Sequence, residues 1–245
     1  MLKMDQFQRI NPFQDLFVHL TEHYSSIILD NIFPNPIRYL MGHQDYCPGK
    51  IKEMQYQAES LEEILKREKK RIVIPFIAYQ QFLHGYGTLS RIVHRNGLEE
   101  ETKSAASAYS QKLYSLLWEA RSHIFTAPAV ESYRVHRYVN GVIALTERRP
   151  LKKPVHKDDK NADEILVATA HYLADRDNTI CAIVTKDKDI GRISEGYAEV
   201  KIGRGVVDIF TYNHHTNSYE LQLNLKKPEG LILLPKGSIF LSECA

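Results

Sequence analysis

Asn161-Ala-Asp163-Glu164-Ile-Leu166-Val167-Ala-Thr-Ala170-His171-Tyr-Leu173 is followed, after a short polar gap, by Cys181-Ala-Ile183-Val184-Thr185-Lys186-Asp187-Lys188-Asp189-Ile190. The first stretch predicts a helix over about 162–174 with an acid in its first turn. The second predicts a buried strand over 180–185 that ends in two acids. Counting from Asp163, the positions at i+3, i+4, i+7 and i+11 are Leu166, Val167, Ala170 and Ala174. Asp163 therefore falls in line with the apolar stripe, while Glu164 is rotated toward His171 and a more mixed face. Asp187 and Asp189 share a face if the strand continues. If the strand ends at Thr185, Asp189 sits beside Asp187 or caps the next helix. Each acid also has a plain structural reading. Asp163 would stabilise a helix N-terminus through the dipole, and Lys186–Asp189 would be a solvated turn. Carboxylates gathered at the ends of buried elements are nevertheless costly unless a cation or another partner balances them.

The same alternation of strand and helix extends outward. Residues 5–24 predict a helix, with Phe13, Leu16, Phe17, Leu20 and Tyr24 at helical spacing. Ile27-Ile28-Leu29-Asp30 is a short apolar run ending in an acid, followed by Asn31 and the breakers Pro34 and Pro36. Residues 51–70 predict a charged helix, Arg71–Pro75 a second buried strand, and Phe76–Leu83 a helix stopped near Gly85. Two further helical patterns cover 98–123 and 128–147, and Arg148–Lys160 is a basic loop broken by proline. Strands alternating with helices imply a mostly parallel sheet covered on both faces. Ligand sites in such sheets form beyond the carboxyl ends of the strands. Asp30 and Asp187 both follow a strand there. After about residue 205, Val206–Tyr212 and Ser218–Leu223 predict a β-hairpin with a polar turn, and Gly230–Pro235 a further strand.

The bulk composition narrows the field without deciding it. Apolar residues make up 43% and charged residues 25% of the 245, the balance of an ordinary globular chain. A formal net charge of +2 implies no partner by itself. Three cysteines, Cys47, Cys181 and Cys244, show no paired spacing. With no signal-peptide core and no run near 18 apolar residues, they point to a reducing, cytoplasmic setting and away from membranes. His43, His84, His171, His214 and His215 have no zinc-type spacing with cysteine. No Gly-rich phosphate loop and no Gly-x-Ser-x-Gly elbow occurs. Hard carboxylates without soft ligands suit Mg²⁺ or Mn²⁺, ions that activate water and neutralise charge on a phosphodiester.

These residues resemble the motifs of the PIN domain, the PilT N-terminus type of nuclease, over about residues 25–200. Ile27-Ile-Leu-Asp30-Asn31 resembles the family's first motif, with Phe33-Pro-Asn35-Pro36 downstream. Asn161–Ala170 resembles the third motif and Ile183–Ile190 the fourth. The second motif departs from the family. Ile72-Val-Ile-Pro75 followed by a helix fits its frame, but Gln81 stands where a glutamate is expected. An amide accepts a hydrogen bond yet brings no negative charge, so metal affinity should fall.

The resemblance implies a three-layer α/β/α sandwich with a mostly parallel central sheet. Residues 1–24 would precede it as an N-terminal helix, and 25–204 would form the PIN-like domain with a helical insertion at about 98–147. Residues 205–245 would be a β-rich C-terminal extension. It implies a Mg²⁺- or Mn²⁺-dependent endoribonuclease in which Asp30, Asp163, Asp187 and Asp189 hold the metal and activate water, supported by Gln81, Thr185 and Asn31. RNA would be the substrate, with a protein partner such as an antitoxin-like inhibitor or self-association beside it. Arg148, Arg149, Lys152, Lys153 and Lys157 precede Asp163 and fit a polyanion, although an ordinary solvated loop has the same composition. Lys66–Arg71 reads more simply as the basic end of a helix. The competing expectation is a PIN-like RNA-binding or assembly module that has lost turnover, with Gln81 as its support. A phosphatase-type domain using Asp30 as nucleophile is a further alternative that lacks an identifiable lysine and hydroxyl partner.

Overall fold

The computed structural model of the chain describes residues 12–34, 48–94, 100–127, 129–148, 161–199, 203–213, 218–222, 231–233 and 239–241. In chain order these form α1 (Pro12–His23), β1 (Ser26–Leu29), α2 (Pro48–Arg67), β2 (Ile72–Pro75), α3 (Phe76–Val93) and α4 (Glu100–Arg121). Then come β3 (Ile124–Phe125), α5 (Ala129–Arg148), α6 (Ala162–Asp177), β4 (Ile180–Thr185), α7 (Asp189–Ala198), β5 (Val206–Asn213) and β6 (Ser218–Gln222). A separate antiparallel pair, β7 (Leu231–Leu233) and β8 (Ile239–Leu241), ends the described chain.

The six strands β1–β6 make one sheet in the order β3-β2-β1-β4-β5-β6, parallel throughout except for β6. Side chains alternate across it, as the pleat requires. Ile27 and Leu29 of β1, Ala182 and Val184 of β4, and Phe210 of β5 pack with α1–α4 in one core. Ile28, Cys181, Ile183, Val207 and Ile209 pack with α5–α7 in the other. Two cores on opposite faces of one sheet make three layers. Cys181 is a fully buried member of the second core, and burial pushes its thiol up to about 11.

The structure departs from the sequence pattern in four places. First, α3 does not stop near Gly85; it continues through Gly87 to Val93. Burial of Leu89 and Ile92 in the first core outweighs the roughly 1 kcal/mol helix penalty of each glycine. Second, the gap between the helical patterns at 98–123 and 128–147 holds a strand. The two-residue strand β3 lies between α4 and α5 and pairs with β2 through Ile74–Ile124 and Pro75–Phe125. Two residues are too few for a period-2 signal. Third, the hairpin β5–β6 is not appended to the sheet but belongs to it, because β5 pairs with the full length of β4 from Ile180–Val206 to Thr185–Thr211. A second short strand, β8, also answers β7 where the sequence pattern shows one alone.

The turn from α6 into β4 fixes the direction of α6 against the sheet. Asn178 takes the left-handed conformation at φ 50°, and its N–H closes onto the Ala174 and Asp175 carbonyls. Thr179 N–H also donates to Ala174 O at 3.0 Å. This is a helix C-cap of the kind asparagine tolerates. Gly205 packs directly over that cap, where a Cβ would sit 2.2 Å from the Ala174 carbonyl carbon, so only glycine fits. The chain thus reverses within two residues, and α6 runs antiparallel to β4. Its 16 residues span about 24 Å against roughly 20 Å for the six-residue strand. The N-terminus of α6 therefore reaches the carboxyl end of the sheet.

Candidate active site at the carboxyl end of the sheet

Strand order decides where a site should form. From β1 the chain moves outward on one side to β2 and β3, then returns to place β4 and β5 on the other side. The order reverses between β1 and β4, and a crevice opens beyond the carboxyl ends of two such strands. Asp30 directly follows β1, and Lys186 and Asp187 directly follow β4.

Thr185 ties the two strand ends together. Its hydroxyl donates to Asp30 Oδ2 at 2.6 Å, and the same oxygen accepts from Asp187 N–H at 2.9 Å. Thr185 is fully buried, so the link is protected from water. Asp30 N–H is itself held by Val184 O at 3.0 Å, which extends the β1–β4 ladder by one residue and fixes where the carboxylate emerges. Asp30 keeps some contact with solvent, yet protein crowds its carboxyl group. That desolvation raises its pKa. Hydrogen bonds from Thr185 and from the Asn31 N–H oppose the rise, the Asp187 carboxylate adds to it, and the Lys186 charge counteracts it more weakly.

Asp187 and Asp189 have different duties. Asp187 Oδ1 accepts from Asp189 N–H at 2.9 Å, so Asp187 anchors the first turn of α7. Asp189 opens that helix and pairs with Arg192 at 3.7 Å, within its own helix. Asp163 lies in the first turn of α6, half-buried, at the end of the sheet where Asp30 and Asp187 emerge. Residues 166–174 are buried all round, and Asp163 and Glu164 are both half-buried. His171, on the Glu164 side, is itself buried and shares a 2.9 Å hydrogen bond with Ser194.

Gln81 reaches the same region from α3. It lines a narrow cleft with Asn31, Phe33, Phe82 and Tyr86. Two neighbours of Asp30 are given no role by the sequence motifs. Lys186 is largely exposed, but protein around its ammonium lowers its pKa to about 8 while the Asp30 charge pulls it upward. Tyr219 on β6 has its hydroxyl buried without a hydrogen-bond partner among the described residues. Its pKa is pushed far up by burial, and also by Tyr212 and Asp30. Only the antiparallel return of β6 brings Tyr219 there, and a single sequence gives no register for that pairing.

Among the described residues, no three His, Cys, Asp or Glu side chains stand close enough together to hold a metal ion between them. The structure brings Asp30 and Asp187 together through Thr185; it does not bring Asp163 or Asp189 into a group of three with them. A pair is still a usable site for Mg²⁺, which keeps several waters and often takes one or two carboxylates plus substrate phosphate oxygens. The all-oxygen donor set also suits Mn²⁺. Arg148 closes α5, while Arg149, Lys152, Lys153 and Lys157 lie outside the described residues. His43, His214, His215, Cys47 and Cys244 also lie outside them. The other basic run is engaged in ion pairs: Lys66 with Glu62, Arg67 with Glu68 at 3.0 Å, and Lys69 with Glu119 at 3.9 Å. No described helix is long and apolar enough to cross a membrane.

The chain matches no family model, no curated protein and no solved structure.

Proposed function

We propose that this protein is a Mg²⁺- or Mn²⁺-dependent endoribonuclease of the PIN-like kind, working at the carboxyl end of β1 and β4. The observation that carries this reading is the Asp30–Thr185–Asp187 link across the point where strand order reverses. Asp30 and Asp187 would hold the ion, with Asp163 approaching from the first turn of α6. A bound ion supplies water activation and neutralises charge developing on the phosphodiester. The protein's own part is positional. Thr185 orients the Asp30 carboxylate and, through the Asp187 N–H, sets the distance between the two strand ends. Asp187 in turn fixes the start of α7. A carboxylate desolvated beside a second one favours a cation over any neutral ligand. Gln81 supplies no charge to this set, which lowers the expected metal affinity.

The second reading is a PIN-like RNA-binding or assembly module without turnover. Gln81 favours it, as does the pair of carboxylates where three would hold an ion more firmly. Incubating structured and single-stranded RNA with the protein, in Mn²⁺ and in chelator, beside an Asp187→Asn variant separates the two. Cleavage that needs Mn²⁺ and is lost in the variant supports the nuclease. Cleavage that persists unchanged in the variant, or no cleavage in Mn²⁺, rejects it.

A further inference from the structure

His19-Leu20-Thr21-Glu22-His23 closes α1 with two imidazoles four positions apart. Residues at i and i+4 stand one above the other on a helix. Here the rings meet: their centroids are 4.7 Å apart and their planes lie at 54°. Two imidazole nitrogens bound to one zinc ion, each at about 2.0–2.1 Å, stand roughly 3 Å from one another. Rings already this close reach that separation by rotating about their side-chain torsions, with the helix left in place. The spacing is one in which helical histidines hold zinc, with a glutamate between them. Such a short pattern is weak by itself, and the ring contact is what gives it weight.

The surroundings keep the pair in position and leave it free to bind. His19 is half-buried, with its ring edge-on to Tyr24 at 6.4 Å and to Phe210 at 6.2 Å. Neither ring nitrogen of His19 is hydrogen-bonded to another described residue. His23 is exposed, and its Nε2 lies 3.9 Å from Glu22 Oε2. Among the described residues no third His, Cys, Asp or Glu completes a group with these two. The protein therefore offers two ligands, and water fills the remaining positions. Catalytic zinc takes three protein ligands, so the pair is a binding site and not a peptidase centre.

The donor chemistry separates this pair from the carboxylates at the other end of β1. His23 comes just before that strand and Asp30 just after it. Carboxylates suit hard ions such as Mg²⁺ and Mn²⁺, whereas imidazole suits Zn²⁺, Ni²⁺ and Cu²⁺. We propose that His19 and His23 together bind one borderline divalent ion of the Zn²⁺ type. The ion bridges the last two turns of α1, next to Tyr24, whose hydroxyl donates to Asp208 Oδ2 at 2.9 Å. It thereby braces the helix end that delivers the chain to β1. This site does not depend on the nuclease reading.

Full-length protein is titrated with Zn²⁺ in a calorimeter, with Mg²⁺ in excess to occupy the carboxylates. The ring signals of His19 and His23, assigned by NMR from the single variants, shift together as Zn²⁺ is added. His19→Gln and His23→Gln each weaken Zn²⁺ binding by about tenfold or more, since losing a direct ligand costs at least as much as losing its outer-shell support. His84→Gln, at an exposed histidine on α3, leaves the affinity unchanged, and so does Asp30→Asn. His23 is exposed, so its variant keeps the wild-type unfolding profile in chelator.

Ring signals that stay still, or Zn²⁺ affinity that survives both histidine substitutions, would overturn the proposal. So would loss of binding in Asp30→Asn alone, which places the ion at the carboxylates. Zn²⁺ bound at the pair in a protein that cleaves no RNA removes the nuclease reading and leaves the histidine site standing. Mn²⁺-dependent cleavage without Zn²⁺ binding at the pair does the reverse.

Discussion

Asp30 and Glu62 are both enclosed acids, and their surroundings differ in kind. Glu62 lies between α2 and α4, where Lys66 and the Ser115 hydroxyl bond its carboxylate and Lys112 adds a second positive charge. Burial pushes its pKa up, but those hydrogen bonds and charges outweigh burial and hold it below the usual range. Asp30 also meets desolvation first, and there burial wins. Its neighbours are a hydroxyl, an amide N–H, another carboxylate, and a lysine that contributes least. The partners of Glu62 outweigh its burial, and those of Asp30 do not. A carboxylate whose partners offset only part of its burial, at a sheet's switch point, is where an external cation would be of most use.

The contrast can be broken most forcefully at Asp30. The Asp30→Asn variant should lose at least about a hundredfold of Mn²⁺-dependent cleavage, roughly 2.7 kcal/mol, in single-turnover assays. In chelator it should unfold in urea at the same denaturant concentration as wild type, or a higher one, since an amide has no buried charge to desolvate. Next comes the hydroxyl that joins the two strand ends. Thr185→Val should destabilise by about 1–3 kcal/mol in urea unfolding, because Asp30 and the Asp187 N–H both lose a partner in a buried place. Glu62→Gln should have a smaller effect, about 1 kcal/mol, because Lys66 is half exposed and its pairing is screened. Cleavage by that variant should stay within about twofold of wild type.

The smallest effect has the sharpest sign. The folded pKa of Asp30 is raised, so in metal-free protein its contribution to stability is present below the unfolded value and is lost as pH rises toward the folded one. The folded pKa of Glu62 is lowered, so its contribution is present above the unfolded value and is lost as pH falls through the folded one. Across the acidic range in chelator, the stability of wild type relative to Asp30→Asn should fall with rising pH. The stability of wild type relative to Glu62→Gln should rise. Parallel slopes would erase the distinction between the two acids.

Much of this was legible in the chain because the signals are local. Ile27–Leu29, Ile72–Pro75 and Ile180–Thr185 are short apolar runs bounded by polar turns, and each is a strand. Asp30 and Asp187 follow two of them directly, so their place at the carboxyl end needs only the strand assignment. What escaped is non-local. β3 is two residues long and exists because Ile74 and Pro75 offer it a ladder. Gly85 and Gly87 sit inside α3 because residues beyond them are buried. The stripe aligned with Asp163 does not stay distinct along the helix, because residues 166–174 are buried on every side. Thr185 as the shared link, and Gln81 as part of an aromatic cleft, depend on distances that spacing alone cannot give.

The most direct test of the Asp30–Asp187 site is thermal unfolding with and without Mn²⁺ for wild type, Asp30→Asn, Asp187→Asn and Glu62→Gln. At a hundredfold excess over its Kd, an ion bound only to the folded state adds about 2.7 kcal/mol. For a chain of 245 residues that is a Tm rise of roughly 5–10 °C. Wild type and Glu62→Gln should show the rise, and Asp30→Asn and Asp187→Asn should show little or none. A rise of equal size in all four proteins, or none in wild type, would contradict a cation site at the ends of β1 and β4.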